Sequence, residues 1–275
     1  MAASLLKGWG RLVLLLFVLG LGASNAQAQN QGFLSDLTLY KPNYLVWTEA
    51  LGELGPYQNQ EIIFQFSVQK PLWGPLHFAY SQKTFWQFFD QQNSRTFRTL
   101  VFNPELFLRF RDLWGMAESR LGLNEHESNG EGVRYNALGQ AHNQSRSWNR
   151  SYLFGRWAFD SGWGASAKAW VVTDRKENSQ ISFYQDNPDI RDYLGNGELG
   201  ISFELRGWRF GGLLRQGYIS ETTSLGLDAS LDINALFPEL DSTLELYLSA
   251  FDGYGDSLMD YNRRVRRGSV GFKVH

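Results

Sequence analysis

The chain has 275 residues, no cysteine and a formal net charge of −2, which exclude a disulfide framework and thiol chemistry and give no reason to expect a nucleic-acid partner. Its mean hydropathy is −0.34. Beyond residue 28, no stretch approaches the roughly 18 apolar residues of a membrane helix, so helical membrane spans are also excluded.

The N-terminus has the pattern of an export signal. Lys7 and Arg11 precede an apolar core at residues 12–21, which is too short to span a bilayer comfortably. Ala26-Gln-Ala28 then offers small residues for cleavage. The sequence therefore predicts a signal peptide at 1–28, and an uncleaved anchor helix is the alternative.

Residues 29–275 show recurring period-two alternation, with apolar side chains on one face and polar or charged ones on the other. The charged face includes Glu204, Arg206, Asp228 and Asp232. The clearest runs are 64–69, 106–111, 199–206, 225–232, 244–249 and 269–274. So many strands in an exported chain favour lipid outside and a polar interior, which is the arrangement of a membrane β-barrel.

Spacing and aromatic content sharpen this prediction. Gly, Asn, Asp and Pro clusters separate the runs, for example at 90–94, 178–188 and 252–256. At roughly 20 residues per strand and turn, we expect one all-β domain, an antiparallel transmembrane barrel of about twelve strands. The 10 Trp, 12 Tyr and 20 Phe suit aromatic girdles at both membrane interfaces. An aromatic-rich soluble β-sandwich is the alternative.

Two short polar segments carry the residues for acyl transfer. His126 and Ser128 are two apart, so on a strand they point to one side, roughly 6.5–7 Å apart along the backbone. Imidazole and hydroxyl are a base and a nucleophile, and the amide oxygen of Asn149 can accept from imidazole Nδ1–H and orient the ring. In a membrane barrel, the expected ester is a lipid. The alternatives are a polar strand end for His126 and Ser128, and a strand-initiating turn residue for Asn149.

Six segments in the same order resemble the outer-membrane phospholipase A family over roughly residues 40–272. They include His-Glu-Ser-Asn-Gly at 126–130, Ser-Arg-Ser-Trp-Asn-Arg at 145–150 and Asp-Asn-Pro-Asp-Ile at 186–190. The others lie at 81–87, 103–108 and 253–262. The resemblance implies a twelve-stranded barrel whose lipid-facing surface carries a calcium-dependent serine esterase.

The resemblance also assigns roles to residues. Ser128 would be the nucleophile, His126 the general base and Asn149 its orienter, with the oxyanion held by the Ser128 amide and by water on the calcium. The substrates would be acyl esters of phosphoglycerides at either sn position, and lysophospholipids. The enzyme would act as a homodimer in the bacterial outer membrane, with one Ca²⁺ per active site.

Four calcium ligands are expected from the same resemblance. Asp186 would supply a carboxylate, the hard oxygen that calcium favours, and Ser145 a second side chain. Glu131 occupies the place of a ligand that acts through its backbone carbonyl. Ser94 matches the ligand that each subunit supplies to the calcium site of its partner. Without the resemblance, ordinary turn chemistry is the preferred interpretation of Ser94 and Ser145.

The chain departs from the family pattern in two ways. The segment between Ser128 and Asn149 is longer by about nine residues, with the insertion expected at 133–144, where His142 is expected to be a solvent-exposed loop residue. In addition, Leu121 and Leu123 have the opposite parity to His126 and Ser128. If both pairs face lipid, a one-residue bulge is required, which we predict near Asn124-Glu125.

Two other functions fit a small barrel of this composition. One is a lipid A deacylase, which also uses His and Ser, although the calcium-type residues favour the phospholipase. The other is a passive barrel, either a narrow pore or a scaffold with a dead site. For the phospholipase, we expect a resting monomer and an active calcium-bound dimer, on the argument that a lone barrel surface offers an acyl chain no cleft.

Overall fold

A computed structural model describes residues 36–92, 94–135, 141–173 and 186–274, with the backbone alone for 133–135 and 141–142. The predicted signal peptide at 1–28 lies outside the described residues, as does most of the turn segment at 178–188, and both stay predictions. Within the described part of the chain, no helix is long and apolar enough to cross a membrane.

Antiparallel strands make up almost the whole described structure. The strands are β1 Thr38–Leu39, β2 Asn43–Ala50, β3 Gln60–Trp73, β4 Leu76–Trp86, β5 Phe97–Phe110, β6 Glu118–Ser128, β7 Val133–Tyr135, β8 Ala141–Asn143, β9 Ser147–Ala158, β10 Trp163–Val172, β11 Gly197–Leu205, β12 Trp208–Gln216, β13 Thr223–Asp232, β14 Leu244–Gly253 and β15 Val265–Val274. The described residues also form helix α1 (Ile190–Leu194) and two 3₁₀ turns (Ile233–Ala235 and Pro238–Leu240).

Twelve of these strands form a closed barrel, as predicted. Strands β2–β6 and β9–β15 pair antiparallel with their neighbours, β6 pairs directly with β9, and β15 pairs with β2 to close the ring. Short β1 continues the line of β2 along β3, and β7 and β8 form a separate hairpin between β6 and β9. Closure leaves the described barrel strands paired on both sides, which a sheet needs in lipid.

The alternation predicted from sequence separates an apolar outer wall from a polar interior. Leu153, Leu199 and Leu227 are among many outward side chains with more than half of their surface exposed. Such a surface suits a lipid environment. Arg206 is an exception to the prediction, because it lies in the turn after β11 with φ of 48° and therefore does not continue the inward charged face.

Two networks of ion pairs lie inside the barrel. In the first, Lys41, which precedes β2, lies 2.6 Å from Glu105 on β5, three strands away in the sheet. In the second, Glu61 on β3 pairs with Arg98 at 2.6 Å and with Arg267 on β15 at 3.3 Å. These side chains satisfy one another where hydration is limited, so the inside of the barrel is a packed polar core.

Each strand runs between two ends of the barrel. We call the end where β6 ends and β9 begins the upper end, and the end where residues 111–117 join β5 to β6 the lower end. The connection between β4 and β5 and the connection between β14 and β15 also lie at the upper end. All the residues that we predicted to be functional lie at or near this upper end.

Candidate active site

The β6 strand contains the predicted bulge, one residue earlier than expected. Three residue steps on β6, from Gly122 to Glu125, span the same length as two steps on β9, from Tyr152 to Arg150. The pairing with β5 is irregular at the same place. The extra residue lies at 123–124, where both side chains are exposed, so parity changes at this point.

Because of the bulge, Leu121 and His126 share the outer face although they are five residues apart. Leu121 pairs with the outward Leu153, whereas His126 pairs with Asn149 and Ser128 with Ser147. Without the extra residue, the pleat would turn His126 and Ser128 toward the interior. The bulge therefore resolves the parity conflict that we predicted, because Leu121, His126 and Ser128 lie on one lipid-facing strip of β6.

The side chains that alternate with this strip hold β6 from the inside. Glu125 is 1% exposed and lies 2.9 Å from the Lys168 ammonium and 3.0 Å from the Arg150 guanidinium. Glu127 accepts a 2.9 Å hydrogen bond from Trp148 Nε1 and lies 3.1 Å from Arg150. His126 lies between these two residues in the chain and Ser128 follows the second. The contacts of Glu125 and Glu127 therefore fix the backbone of both.

A hydrogen bond of 2.9 Å joins His126 Nδ1 to Asn149 Oδ1. The two residues are direct cross-strand partners, which brings their side chains together on the outer wall. With the amide oxygen as acceptor, the imidazole donates through Nδ1, which leaves Nε2 as its basic nitrogen. Ser128 follows two residues later on the same face. The arrangement has the parts of a nucleophile, a base and an orienter.

Two buried asparagines that the sequence reasoning missed support this strip. Asn129 Oδ1 accepts hydrogen bonds from the backbone N–H of Arg146 at 2.9 Å and of Glu131 at 3.3 Å, and its Nδ2 donates to Gln144 O at 2.8 Å. Asn187 Oδ1 accepts from Ser147 N at 2.8 Å. The only local signals were the turn-forming pairs Asn-Gly and Asn-Pro, which do not reveal a long-range partner.

Two of the four predicted metal ligands lie together at the upper end. Ser145 Oγ donates to Asp186 Oδ2 at 2.6 Å, and Asn143 Nδ2 donates to Asp186 Oδ1 at 2.9 Å. Ser145 lies two residues before Ser147, so it continues the β9 side of this lipid-facing strip. Among the described residues, no three His, Cys, Asp or Glu side chains cluster as a metal site, so a cation here would rely mainly on neutral oxygens.

The other two predicted ligands differ in placement. Glu131 directly follows Gly130, whose φ of +64° turns the chain at the end of β6. The backbone N–H of Glu131 donates to Asn129 Oδ1. Ser94 is exposed in the turn between β4 and β5, with φ of 61°. The described chain thus brings Ser145 and Asp186 together and presents Ser94 on a separate connection. The expected insertion at 133–144 contains the β7–β8 hairpin. His142, predicted to lie in a loop, is instead on β8 opposite Arg134.

Comparison with known proteins gives consistent results for sequence and structure. The phospholipase A1 family model matches residues 24–274. Phospholipase A1 of Escherichia coli (strain K12) is 31% identical over 259 residues, which cover 86% of this chain and 80% of that protein. Phospholipase A1 of Salmonella typhimurium gives the same values.

Solved structures agree with the sequence relatives. Outer membrane phospholipase A from Escherichia coli superposes with a TM-score of 0.71 at 27% identity, covering 87% of this chain and 94% of that one. The Salmonella typhi outer membrane phospholipase dimer with bound calcium gives 0.72 at 26% identity, covering 90% and 94%. The twelve-stranded barrel is thus a bacterial outer-membrane barrel, and the chain belongs to the phospholipase A1 family.

Proposed function

We propose that this barrel hydrolyses acyl ester bonds of phosphoglycerides and lysophospholipids, at either the sn-1 or the sn-2 position, with Ser128, His126 and Asn149 as its catalytic residues. The observation that carries the proposal is the 2.9 Å hydrogen bond between His126 Nδ1 and Asn149 Oδ1, on the outer face that Ser128 shares. Family membership supports the substrate class.

In the proposed mechanism, His126 Nε2 takes the proton of Ser128 Oγ as the oxygen attacks the acyl carbonyl. The carbonyl oxygen becomes an oxyanion, which the backbone N–H of Ser128 stabilises. The intermediate collapses to an acyl-serine, and His126 gives its proton to the leaving glyceryl oxygen. Water activated by the same imidazole then attacks the acyl-serine and releases the fatty acid.

Asn149 acts by fixing the imidazole. It keeps the Nδ1–H tautomer and directs Nε2 toward Ser128, but a neutral amide stabilises the forming imidazolium less than a carboxylate does. The remaining stabilisation must come from the oxyanion side of the reaction. This requirement is one reason to expect a cation close to Ser128.

The residues at the upper end fit a calcium ion. Asp186, Ser145 and the Glu131 carbonyl are oxygen donors of the kind that Ca²⁺ binds, and two of them already lie 2.6 Å apart. When bound, the ion would add positive charge beside the developing oxyanion. One relative is described as a dimer with bound calcium, which supports the metal.

We further propose that the active form is a homodimer. Ser94 is exposed on a connection separate from Ser145 and Asp186, so a second barrel is the natural source of this fourth oxygen. The dimer of the Salmonella typhi relative supports the same assembly. Calcium would then bind to both barrels at once and favour their association.

No specific observation favours either alternative function, the lipid A deacylase or the passive barrel. The ion pairs inside the barrel argue against an open pore, because they place paired charged side chains in the path that a solute would take. The Asp186–Ser145 contact has no role in a mechanism that needs only His and Ser. We therefore retain the phospholipase as the proposed function.

The test is phosphatidylcholine hydrolysis by the folded barrel in detergent micelles, with calcium or with chelator, for the wild type and Ser128→Ala. Ser249→Ala, on β14 across the barrel, is the matched control. We expect calcium-dependent fatty-acid release that is lost in Ser128→Ala and kept in Ser249→Ala. Release without calcium would remove the metal from the proposal, and no release from a folded wild type would reject the activity.

A further inference from the structure

Asp186 lies at the start of a short segment that packs on the upper end of the barrel. We call residues 186–194, which end in helix α1, the α1 segment. Asp186 contacts Ser145 at 2.6 Å, and the next residue, Asn187, accepts a hydrogen bond from Ser147 N at 2.8 Å. Both contacts join the segment to the start of β9, so the position of Asp186 depends on how the whole segment is held.

A second attachment of the α1 segment lies three residues after Asp186. Tyr261, in the connection between β14 and β15, donates its hydroxyl hydrogen to Asp189 Oδ1. Pro188 lies between the two attached residues, Asn187 and Asp189, and its ring fixes one backbone angle there. The two hydrogen bonds and the proline together restrict the backbone that carries Asp186.

Apolar packing reinforces the contact with Tyr261. Ile190 and Leu194 of α1 are 3% and 4% exposed and belong to one buried cluster with Leu258 and Tyr261. Tyr193 meets the Tyr261 ring edge-on, with 5.8 Å between the ring centroids. The ring of Tyr261 is therefore held by contacts that do not involve its hydroxyl, so the hydroxyl can be removed without emptying the cluster.

The connection that carries Tyr261 is itself fixed to the charged interior. Asp260, the preceding residue, forms an ion pair with Arg98, which lies 2.6 Å from Glu61 in the second network. Ser257 Oγ donates to the same Asp260 carboxylate at 2.8 Å. The side chains of Arg98 and Glu61 are fully buried, so Tyr261 reaches Asp189 from a rigid support.

We propose that Tyr261 is a positioning residue for the calcium site, on which it acts through Asp189. The hydrogen bond holds the α1 segment so that Asp186 lies beside Ser145 before the ion binds. A ligand that is already held in place loses less conformational freedom on binding, and the rigidity of a site is one of the factors that set its calcium affinity. The inference rests on the proposed calcium site and deepens it, because it names a determinant of the affinity.

The first test is Tyr261→Phe, which removes the hydroxyl and keeps the buried ring. Calcium binding to the folded barrel in detergent micelles is measured by isothermal titration calorimetry, at one protein concentration for all variants. We expect the Kd for calcium to rise about tenfold, as for the loss of one hydrogen bond to a charged group. The kcat at saturating calcium and the unfolding temperature without calcium should stay close to the wild-type values, because Tyr261 acts on the ion's ligand alone.

Tyr254→Phe is the matched control. The Tyr254 ring belongs to the same connection and also packs on Tyr193, with 5.3 Å between the ring centroids. Its hydroxyl makes no hydrogen bond within the part of the chain that the structure describes. We therefore expect wild-type calcium affinity in this variant.

A double-mutant cycle tests whether Asp189 is the partner through which Tyr261 acts. Asp189→Ala should also weaken calcium binding, and the double variant with Tyr261→Phe should bind calcium no more weakly than Asp189→Ala does. Asp189→Asn keeps an acceptor oxygen for the Tyr261 hydroxyl and should retain most of the affinity. This variant separates the hydrogen bond from the negative charge of Asp189.

Three results would overturn the proposal. Unchanged calcium affinity in Tyr261→Phe would reduce the contact to ordinary packing of the upper end. Equal weakening in Tyr254→Phe would attribute the effect to a general loosening of this connection. Additive effects of Tyr261→Phe and Asp189→Ala would show that the two residues act independently.

The result is separable from that of the proposed hydrolysis. If the wild type binds calcium with the expected dependence on Tyr261 but releases no fatty acid, the proposed activity fails and the positioning role stands. If the folded wild type binds no calcium, the metal site and the positioning role fail together, and calcium-independent release of fatty acid would still support the esterase.

Discussion

The two faces of β6 and β9 differ in how many interactions hold each side chain. Inside the barrel, Glu125 has three cationic neighbours, Lys168, Arg150 and Lys41, within 3.9 Å. Outside, His126 is held by an asparagine that is its cross-strand partner. The interior face is crosslinked by charge, whereas the outer face presents a basic nitrogen and a hydroxyl to the lipid. The pleat places these two sets of side chains on opposite faces of one strand. The ion pairs of Glu125 on the inner face therefore hold His126 and Ser128 in place on the outer face.

Deleting Leu123 would break this separation most severely. Removal of the extra residue restores a regular ladder, so either Glu125 leaves its cations or His126 and Ser128 turn inward. We expect no measurable hydrolysis, with heat-modifiable mobility on gels reporting whether a barrel still forms. Leu123→Ala keeps the bulge and should retain most activity. An active deletion variant would show that the bulge does not set the facing of the site.

Asn149→Ala tests the outer face alone. Without the amide oxygen of Asn149, the His126 proton is no longer held on Nδ1. We therefore expect kcat to fall by roughly 10²–10⁴-fold, with thermal stability nearly unchanged. Asn149→Asp should retain more activity than Asn149→Ala because it also accepts from Nδ1–H. Equal activity of wild type and Asn149→Ala would remove the orienter from the mechanism.

Glu125→Gln tests the inner face alone. It removes the carboxylate next to Lys168 and leaves Arg150 with Glu127 alone, and breaking a buried pair in this way costs about 3–5 kcal/mol. We expect a lower urea midpoint for unfolding from micelles and a smaller, indirect loss of kcat. Glu49→Gln, the same change at an exposed position of β2, is the control. A catalytic loss as large as that of Asn149→Ala would mean that the two faces are not separable.

The smallest expected effect concerns pH at the upper end. Burial would raise the pKa of Asp256, in the connection between β14 and β15, but Arg267, Lys83 and Arg98 outweigh it and hold the pKa below its ordinary value. A depressed carboxyl pKa adds stability above about pH 4, and this stability is lost as the pH falls further. Unfolding midpoints between pH 7 and pH 3 should therefore fall less in Asp256→Asn than in the wild type, and parallel curves would contradict this origin.

Much of the barrel followed from period-two patterning, because each barrel strand must present one face to lipid and the other to the interior. The bulge followed from a conflict of parity, since Leu121 and Ser128 cannot share a face on a regular strand. Arg206 was assigned wrongly because its alternation continued into the turn after β11.

Long-range partners were less accessible to sequence reasoning. The roles of Asn129 and Asn187 depend on segments that come together only when β6 and β9 pair and the chain returns after β10. Resemblance to a family supplied Ser145 and Asp186, and the 2.6 Å contact between them is a result that spacing alone does not predict.

The ion-pair networks inside the barrel have a further consequence for the cell. An outer membrane must retain its permeability barrier, and a twelve-stranded cylinder is in principle a hole through it. Lys41 with Glu105, and Glu61 with Arg98 and Arg267, place paired charged side chains inside that cylinder. In planar bilayers, the folded barrel should conduct almost no current, so a cell can keep a lipid-cutting surface in its envelope without an osmotic leak.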